Sequence, residues 1–195
     1  MIVGYHIIFG MYGFWLPNDP RGSWSDFVGS WELARFGPAT KTTETQSVAY
    51  RPHDHELRLA AKQALLRPAV VLTGLQARAV GRGFAKYAQK SGLDMWACAI
   101  LPDHVHLVVG QSDVKVEQLV IQLKGSATEQ LMQEELHPFQ NQRDKQGRPH
   151  KCFARGQWKV YLGADGVPSA IKYVESNPEK DGLASQKWSF VSALH

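Results

Sequence analysis

Two short constellations in this chain have residue types and spacing that could do chemistry. The first is His104-Val105-His106. In a strand, side chains two apart point to the same face. Both imidazoles can therefore reach one divalent ion, for which imidazole nitrogen is a common ligand, while Val105 faces the other way. The chain has eight histidines, so chance pairs of this spacing arise, and His53-Asp54-His55 is a second. That pair sits at a loop-to-helix junction with no strand to align its rings, and it reads as surface capping. His104 and His106 instead end an apolar strand, where idle imidazoles would be costly to bury.

The second constellation is Tyr173-Val174-Glu175-Ser176-Asn177-Pro178. On a helix, Tyr173 and Asn177 are four apart and share a face, so a phenol and a carboxamide project together. The plainer reading is a packed tyrosine with a wet hydroxyl and a helix stop before proline, and the spacing alone does not decide between the two.

Ordinary elements must position these groups. Residues 2–9 are rich in Ile, Val, Tyr and Phe and read as a mostly buried strand. Residues 12–50 carry Gly, Pro, Trp and Asp without sustained periodicity, and loops of that length are usually functional or mobile. Asp54 can cap a helix to about Arg67, where Pro68 interrupts. A second helix is expected over about 70–90, with Val80, Phe84 and Tyr87 on its apolar side; Gly81 and Gly83 weaken that pattern. The runs 96–101 and 105–109 read as strands meeting in a turn at Pro102-Asp103-His104. A long helix at about 115–135, a polar basic connection at 137–157 and a short strand near Trp158–Leu162 follow. The last helix should start at Pro168 and end by Asn177, because Pro178 disfavours helical geometry in the residue before it. This order predicts one α+β domain, 1–195, with a mainly antiparallel sheet and an irregular insertion around 12–50.

The 195 residues carry a net charge of +4, and its distribution says more than its total. Arg78, Arg82, Lys86 and Lys90 recur every four residues, a basic stripe on a helix. Arg143, Lys145, Arg148, Lys151, Arg155 and Lys159 form a second group broken only by Asp144. Each stretch alone could be a solvated face; together they point to a polyphosphate backbone. Trp15, Trp24, Trp31 and Trp158 are candidates to stack on unpaired bases, or are simply buried. Cys98 and Cys152 lack a metal-type spacing and read as reduced, structural thiols. No apolar run reaches the roughly 18 residues needed to span a bilayer, and the N-terminus reads as a strand rather than a signal peptide. A cytoplasmic protein, nucleoid-associated when bound to DNA and without a membrane partner, is the expectation.

The segment Ile100-Leu101-Pro102-Asp103-His104-Val105-His106-Leu107-Val108-Val109 resembles the HUH motif of single-tyrosine transposases, two histidines flanking a bulky apolar residue. Residues Ala170 to Leu183 look like the nucleophile helix of the REP-associated branch of that family, in which Tyr is followed four residues later by Asn-Pro. Leu16-Pro17-Asn18-Asp19-Pro20-Arg21-Gly22, after the Tyr5-His6-Ile7-Ile8-Phe9 strand, is similar to that branch's N-terminal pattern. Phe153-Ala154-Arg155-Gly156-Gln157-Trp158 resembles the segment that precedes the helix. The matches run in the family's order along the chain. Departures are Leu-Pro-Asp before the first histidine, where Met-Pro-Asn is more typical, and the unmatched stretches 23–50 and 137–150.

The resemblance implies a ferredoxin-like or RNA-recognition-like antiparallel sheet of about five strands, with the histidines on a central strand and helices packed on it. It implies Mg²⁺ or Mn²⁺ held by His104, His106 and Asn177, and Tyr173 as nucleophile toward single-stranded or hairpin DNA. Such a cation neutralises phosphate oxygens and the charge that develops in the transition state. A phenol, with an ordinary pKa of about 10, needs activation by the metal, a basic neighbour or solvent. Lys172 lies about 100° round the helix from Tyr173 and is not assigned as that base. It joins Arg21, Arg78, Arg82, Lys86, Lys151, Arg155 and Lys159 as an expected DNA contact. Tyr161, on a strand without an Asn partner, is the fallback nucleophile.

The expected reaction keeps bond energy in a 5′-phosphotyrosine link, so no ATP is required, and no phosphate-cradling glycine loop ending in Lys-Ser/Thr is present. Three other readings compete. A metallohydrolase would continue its HxH into further ligands, where Leu107, Val108 and Val109 stand. A catalytically idle nucleic-acid-binding protein on the same fold is the main alternative. A replication or transfer relaxase would usually be larger. Monomer and homodimer both remain open, with a site inside one chain favoured.

Overall fold

A computed structural model describes residues 1–17, 19, 28, 31–39 and 52–194. Arg21 and Trp24, expected to contact DNA, lie outside the described residues.

The elements follow in order: β1 (Ile2–Gly10), α1 (Trp31–Ala34), α2 (His55–Gln63), α3 (Gly74–Ser91), β2 (Met95–Ile100), β3 (His104–Gly110), α4 (Val116–Gln133), β4 (Trp158–Gly163) and, after a 3₁₀ turn, α5 (Val167–Lys180). The strands form one sheet in the order β2-β3-β1-β4, and every neighbouring pair is antiparallel. The α+β expectation holds with four strands rather than about five. Beyond the named strands, pairing among the described residues stops at two isolated bridges, Met11 with Phe153 and Arg143 with Pro149.

Strand periodicity divides the sheet into two faces. Ile7, Phe9, Cys98, Ile100, Val105, Leu107 and Val109 point one way and form the main core with Val80 and Phe84 of α3 and Leu119 and Leu123 of α4. Ala97, Ala99, Val108 and Leu162 point the other way and meet Val167 and Val174 of α5. Register puts His6 opposite Val108 and Ile8 opposite His106, so these residues share the α5 face. Trp96 is the extra residue of a bulge, where the pairing of β2 shifts between Met95 and Ala97.

Local signals explain most boundaries. The Asp54 carboxylate accepts from the Leu57 amide at 2.9 Å and starts α2, which closes at Ala64, short of the expected Arg67. Thr73 and Gln76 form a reciprocal capping box at the start of α3. The expected stop of the last helix at Asn177 is corrected: Pro178 lies inside α5. The helix closes where Gly182 takes φ 72° and the Leu183 amide bonds the Pro178 carbonyl at 2.8 Å. A proline in a last turn removes one amide without forcing the chain out of helix, so Asn177 stays helical, one turn from Tyr173.

The C-terminal tail shields an edge. The Gln186 carboxamide bonds both the amide (2.9 Å) and the carbonyl (2.8 Å) of Ile100, and the Ser192 amide bonds the Met95 carbonyl at 2.9 Å. The outer side of β2 is thus paired rather than left open. Cys98 and Cys152 are free and buried, as expected, and burial raises both thiols, Cys152 to about 11.

Gly83, which weakened the helical pattern, is where α3 and α4 touch. A Cβ there would lie 2.5 Å from the Ala127 Cα. Gly125 of α4, by contrast, faces open space. Gly83→Ala should therefore lower stability by about 1–3 kcal/mol through overpacking, whereas Gly125→Ala should raise it by about 0.5–1 kcal/mol. Urea unfolding of the two variants checks the sign of each.

Candidate active site

The candidate site is built on the α5 face of the two central strands. His104 and His106 begin β3, with ring centroids 4.9 Å apart. Each is held from a different side. The His104 ring stacks on Phe14 at 4.6 Å, and its Nδ1 lies 2.7 Å from a carboxylate oxygen of Asp103. His106 is buried, and its Nδ1 lies 3.1 Å from Nε2 of His6 on β1. The two rings are stacked with centroids 5.3 Å apart. Burial lowers the His106 imidazole well below its usual range, helped by His104, His6 and the Lys180 ammonium. Burial alone lowers His6 to about 4. Both rings are uncharged near neutrality.

Helix α5 lays the second constellation over these rings. Tyr173 is partly exposed and stands edge-on to both histidines, its ring 5.8 Å from that of His106 and 5.7 Å from that of His6. Asn177 is buried one turn further on, and its Nδ2 has no hydrogen-bond partner. The Lys180 ammonium sits 4.7 Å above the Tyr173 ring. The structure thus brings His104, His106 and Tyr173 together within one chain, with Asn177 buried one helical turn from Tyr173.

The donor set fits a divalent cation. Nδ1 of His104 is engaged by Asp103 and Nδ1 of His106 by His6, so Nε2 is the nitrogen each ring would offer a cation when its proton sits on Nδ1. Carboxamide oxygen and nitrogen can exchange places by a flip, so the buried unpartnered end of Asn177 can present its carbonyl oxygen. Among the described residues no group of three or more His, Cys, Asp or Glu side chains is placed to cage a metal, so a cation here would draw on Asn177 and on non-protein oxygens.

The expected DNA contacts separate. Arg78, Arg82 and Lys86 are exposed but on α3, which packs on the opposite face of the sheet. There Arg82 pairs with Glu134 and Lys86 bonds Gln133 at 3.0 Å. Lys159 stands opposite Ile7 in the register, on the α3/α4 side, and pairs with Glu117 at 2.5 Å. These four do not join the histidine face, because the side of the sheet each element takes is a tertiary property. Lys151, Arg155 and Lys172 are exposed; Lys172 borders a groove with Trp96 and the tail residues Val191 and Leu194, at the β2 edge, and Arg155 is the one tied to the histidine strands. The Ala154 amide bonds the Gly10 carbonyl at 2.9 Å, and Gly10 is the register partner of His104, so Arg155 flanks the site. The Lys124 ammonium secures that segment through the carbonyls of Ala154 (2.9 Å) and Gly156 (2.7 Å), and burial lowers it to about 8.

Of the tryptophans, Trp158 lies edge-on to His6 at 6.2 Å, Trp15 packs by Phe14 and Trp31 is exposed. Tyr161, the fallback nucleophile, stands opposite Tyr5, on the face away from the histidines. Two residues in the site were not anticipated: His6, whose signal is a polar side chain inside an apolar strand, and Lys180, seven residues after Tyr173 and so on its side of the helix.

The family model for IS200-like transposases matches residues 67–177, and the chain belongs to that family. The match includes both histidines, Tyr173 and Asn177. A solved REP-associated tyrosine transposase bound to a REP hairpin is similar at 15% identity and a TM-score of 0.45, over 62% of this chain and 65% of that one. This chain therefore spans less than two thirds of that relative's length. A candidate transposase from Deinococcus radiodurans R1 is similar at 14% identity and a TM-score of 0.38, over 90% of this chain and 91% of that one. Comparison with curated proteins gives no match. No helix among the described residues is long and apolar enough to cross a membrane.

The lowered histidines make stability pH-dependent. The unfolded chain takes up protons at His6 near pH 6.5 while the folded chain resists until about pH 4. Stability is therefore complete above about pH 6.5 and is lost as pH falls toward 4. Urea midpoints should drop across that window by the equivalent of about 1–3 kcal/mol; a flat profile would contradict the burial of these rings.

Proposed function

We propose that this transposase cleaves single-stranded DNA by transesterification, with Tyr173 as nucleophile and a divalent cation, Mg²⁺ or Mn²⁺, held by His104, His106 and Asn177. The observation that carries the reading is the placement of Tyr173 against His106 and His6 on one face of the sheet. Tyr173 is partly exposed, so a substrate can approach its ring from solvent while the other side faces the two imidazoles.

In the proposed step the Tyr173 oxygen forms a bond to phosphorus and the bond from phosphorus to the 3′ oxygen breaks. The phenolic proton leaves to solvent and the departing 3′ oxygen takes one up. The products are a 5′-phosphotyrosine and a free 3′-hydroxyl, and attack by another 3′-hydroxyl reverses the step without ATP. A cation held by His104, His106 and Asn177 would neutralise charge on the phosphate oxygens. Asn177 fixes the reach of Tyr173 from one helical turn away, and the Lys180 ammonium provides a second positive charge beside the phenol. Arg155, Lys151 and Lys172 follow the DNA backbone and Trp158 offers a ring for an unpaired base. Hairpin or repetitive DNA is the proposed substrate, in keeping with the hairpin bound by the REP-associated relative. The second reading, an idle binding protein on this fold, is disfavoured by the presence of every residue the reaction uses.

Wild-type protein incubated with Mn²⁺ and a hairpin with a single-stranded flank should form a covalent protein–DNA adduct, and Tyr173→Phe should form none. An adduct in the variant would overturn the assignment. Lys180→Met should form the same adduct about 10- to 100-fold more slowly, since it removes one preorganised charge from the site; an unchanged single-turnover rate would exclude Lys180 from the reaction.

A further inference from the structure

His6 is buried, lies on a different strand from the histidine pair, and meets both halves of the site. Its Nε2 is 3.1 Å from Nδ1 of His106, and its ring stands edge-on to Tyr173 and to Trp158. One proton lies between the two imidazole nitrogens, and which ring owns it decides what His106 can do. If His6 donated, His106 would accept at Nδ1 and carry its own proton on Nε2, with no lone pair there for a cation. If His106 donates from Nδ1, its Nε2 is a ligand.

Resting on the metal reading above, we propose that His6 is a positioning residue. It accepts the Nδ1–H of His106 and thereby holds the Nε2 lone pair of His106 toward the cation. Asp103 serves His104 in the same way at 2.7 Å. The two ligating rings would then be oriented by unlike acceptors, a carboxylate near the surface and an imidazole in the interior. The uncharged acceptor suits the buried ring, because a carboxylate at that depth would carry a large desolvation cost. The register supports the assignment independently of the metal. His6 is two residues from Ile8, the partner of His106, so it reaches the His106 ring from one step along the adjacent strand. The two nitrogens are 3.1 Å apart with the ring planes only 24° from parallel, a separation that fits a direct hydrogen bond between ring edges and leaves no space for a water between them.

Outer-sphere partners of this kind typically change metal affinity by 10- to 100-fold. The test uses the full chain without DNA. Mn²⁺ titration followed by electron paramagnetic resonance should show binding by the wild type, lost in His106→Ala. His6→Phe should bind about 10- to 100-fold more weakly, and His6→Gln, whose carboxamide oxygen can accept, should recover part of the loss. In the metal-free wild type, long-range ¹H–¹⁵N spectra should show His106 as the Nδ1–H tautomer, assigned by its absence from His106→Asn. That readout is independent of whether His6→Phe folds. A folded His6→Phe that binds Mn²⁺ as tightly as wild type, or an Nε2–H tautomer at His106, would overturn the role of His6 alone. A wild type that binds no Mn²⁺, or binds it equally after His106→Ala, would overturn the metal reading and this proposal with it.

Discussion

The separation of Tyr173 from His106 is set by how closely α5 can lie on the sheet, and that closeness depends on Ala97 and Ala99. Both alanines are fully buried in the cluster that also holds Val167 and Val174 of α5. Small side chains under a helix let its backbone approach, and the branched valines above them fill the remaining space at interior density. Larger residues at either alanine would lift α5 and withdraw the phenol from the imidazoles. The site is therefore a consequence of sheet-to-helix packing before it is a matter of any single polar contact.

The two faces of the sheet divide the work. One face is covered by α3 and α4 and is almost wholly apolar, which gives β1 and β3 a rigid backing. The other carries the polar residues and is only partly roofed by α5. A group on a central strand backed by a packed core has little freedom to drift, which suits a site that must hold ligands to within a fraction of an ångström. The segment bearing Arg155 is tied to that frame by Lys124, whose ammonium is largely withdrawn from water and spans two loop carbonyls. Its role as an anchor follows from those contacts, while its exposed neighbours Lys151 and Arg155 remain available to an anionic partner.

Much of this arrangement was legible in the residues. The alternation at His104-Val105-His106 announced two rings on one face, and the four-residue spacing of Tyr173 and Asn177 announced a shared helical side; both are local periodicities that tertiary context did not override. What was not legible were pairings between distant segments. His6 could be seen as a polar residue in a strand, but its meeting with His106 depends on antiparallel register across 100 positions. The basic stripe of α3 was read correctly as exposed, yet nothing in its spacing says which side of the sheet the helix takes. Pro178 misled for a different reason. Its bias against helical geometry is real, but a proline in a last turn sacrifices little, and Gly182 supplies the stop.

The central claim is that the residue facing His106 on α5 is the one that bonds to DNA. Peptide mapping of a trapped covalent adduct by mass spectrometry tests it most directly, since trypsin separates Tyr173, in the peptide of residues 173–180, from Tyr161, in that of residues 160–172. Nucleotide mass on the Tyr173 peptide is the predicted result. Mass on the Tyr161 peptide, or on any peptide outside α5, would contradict the account.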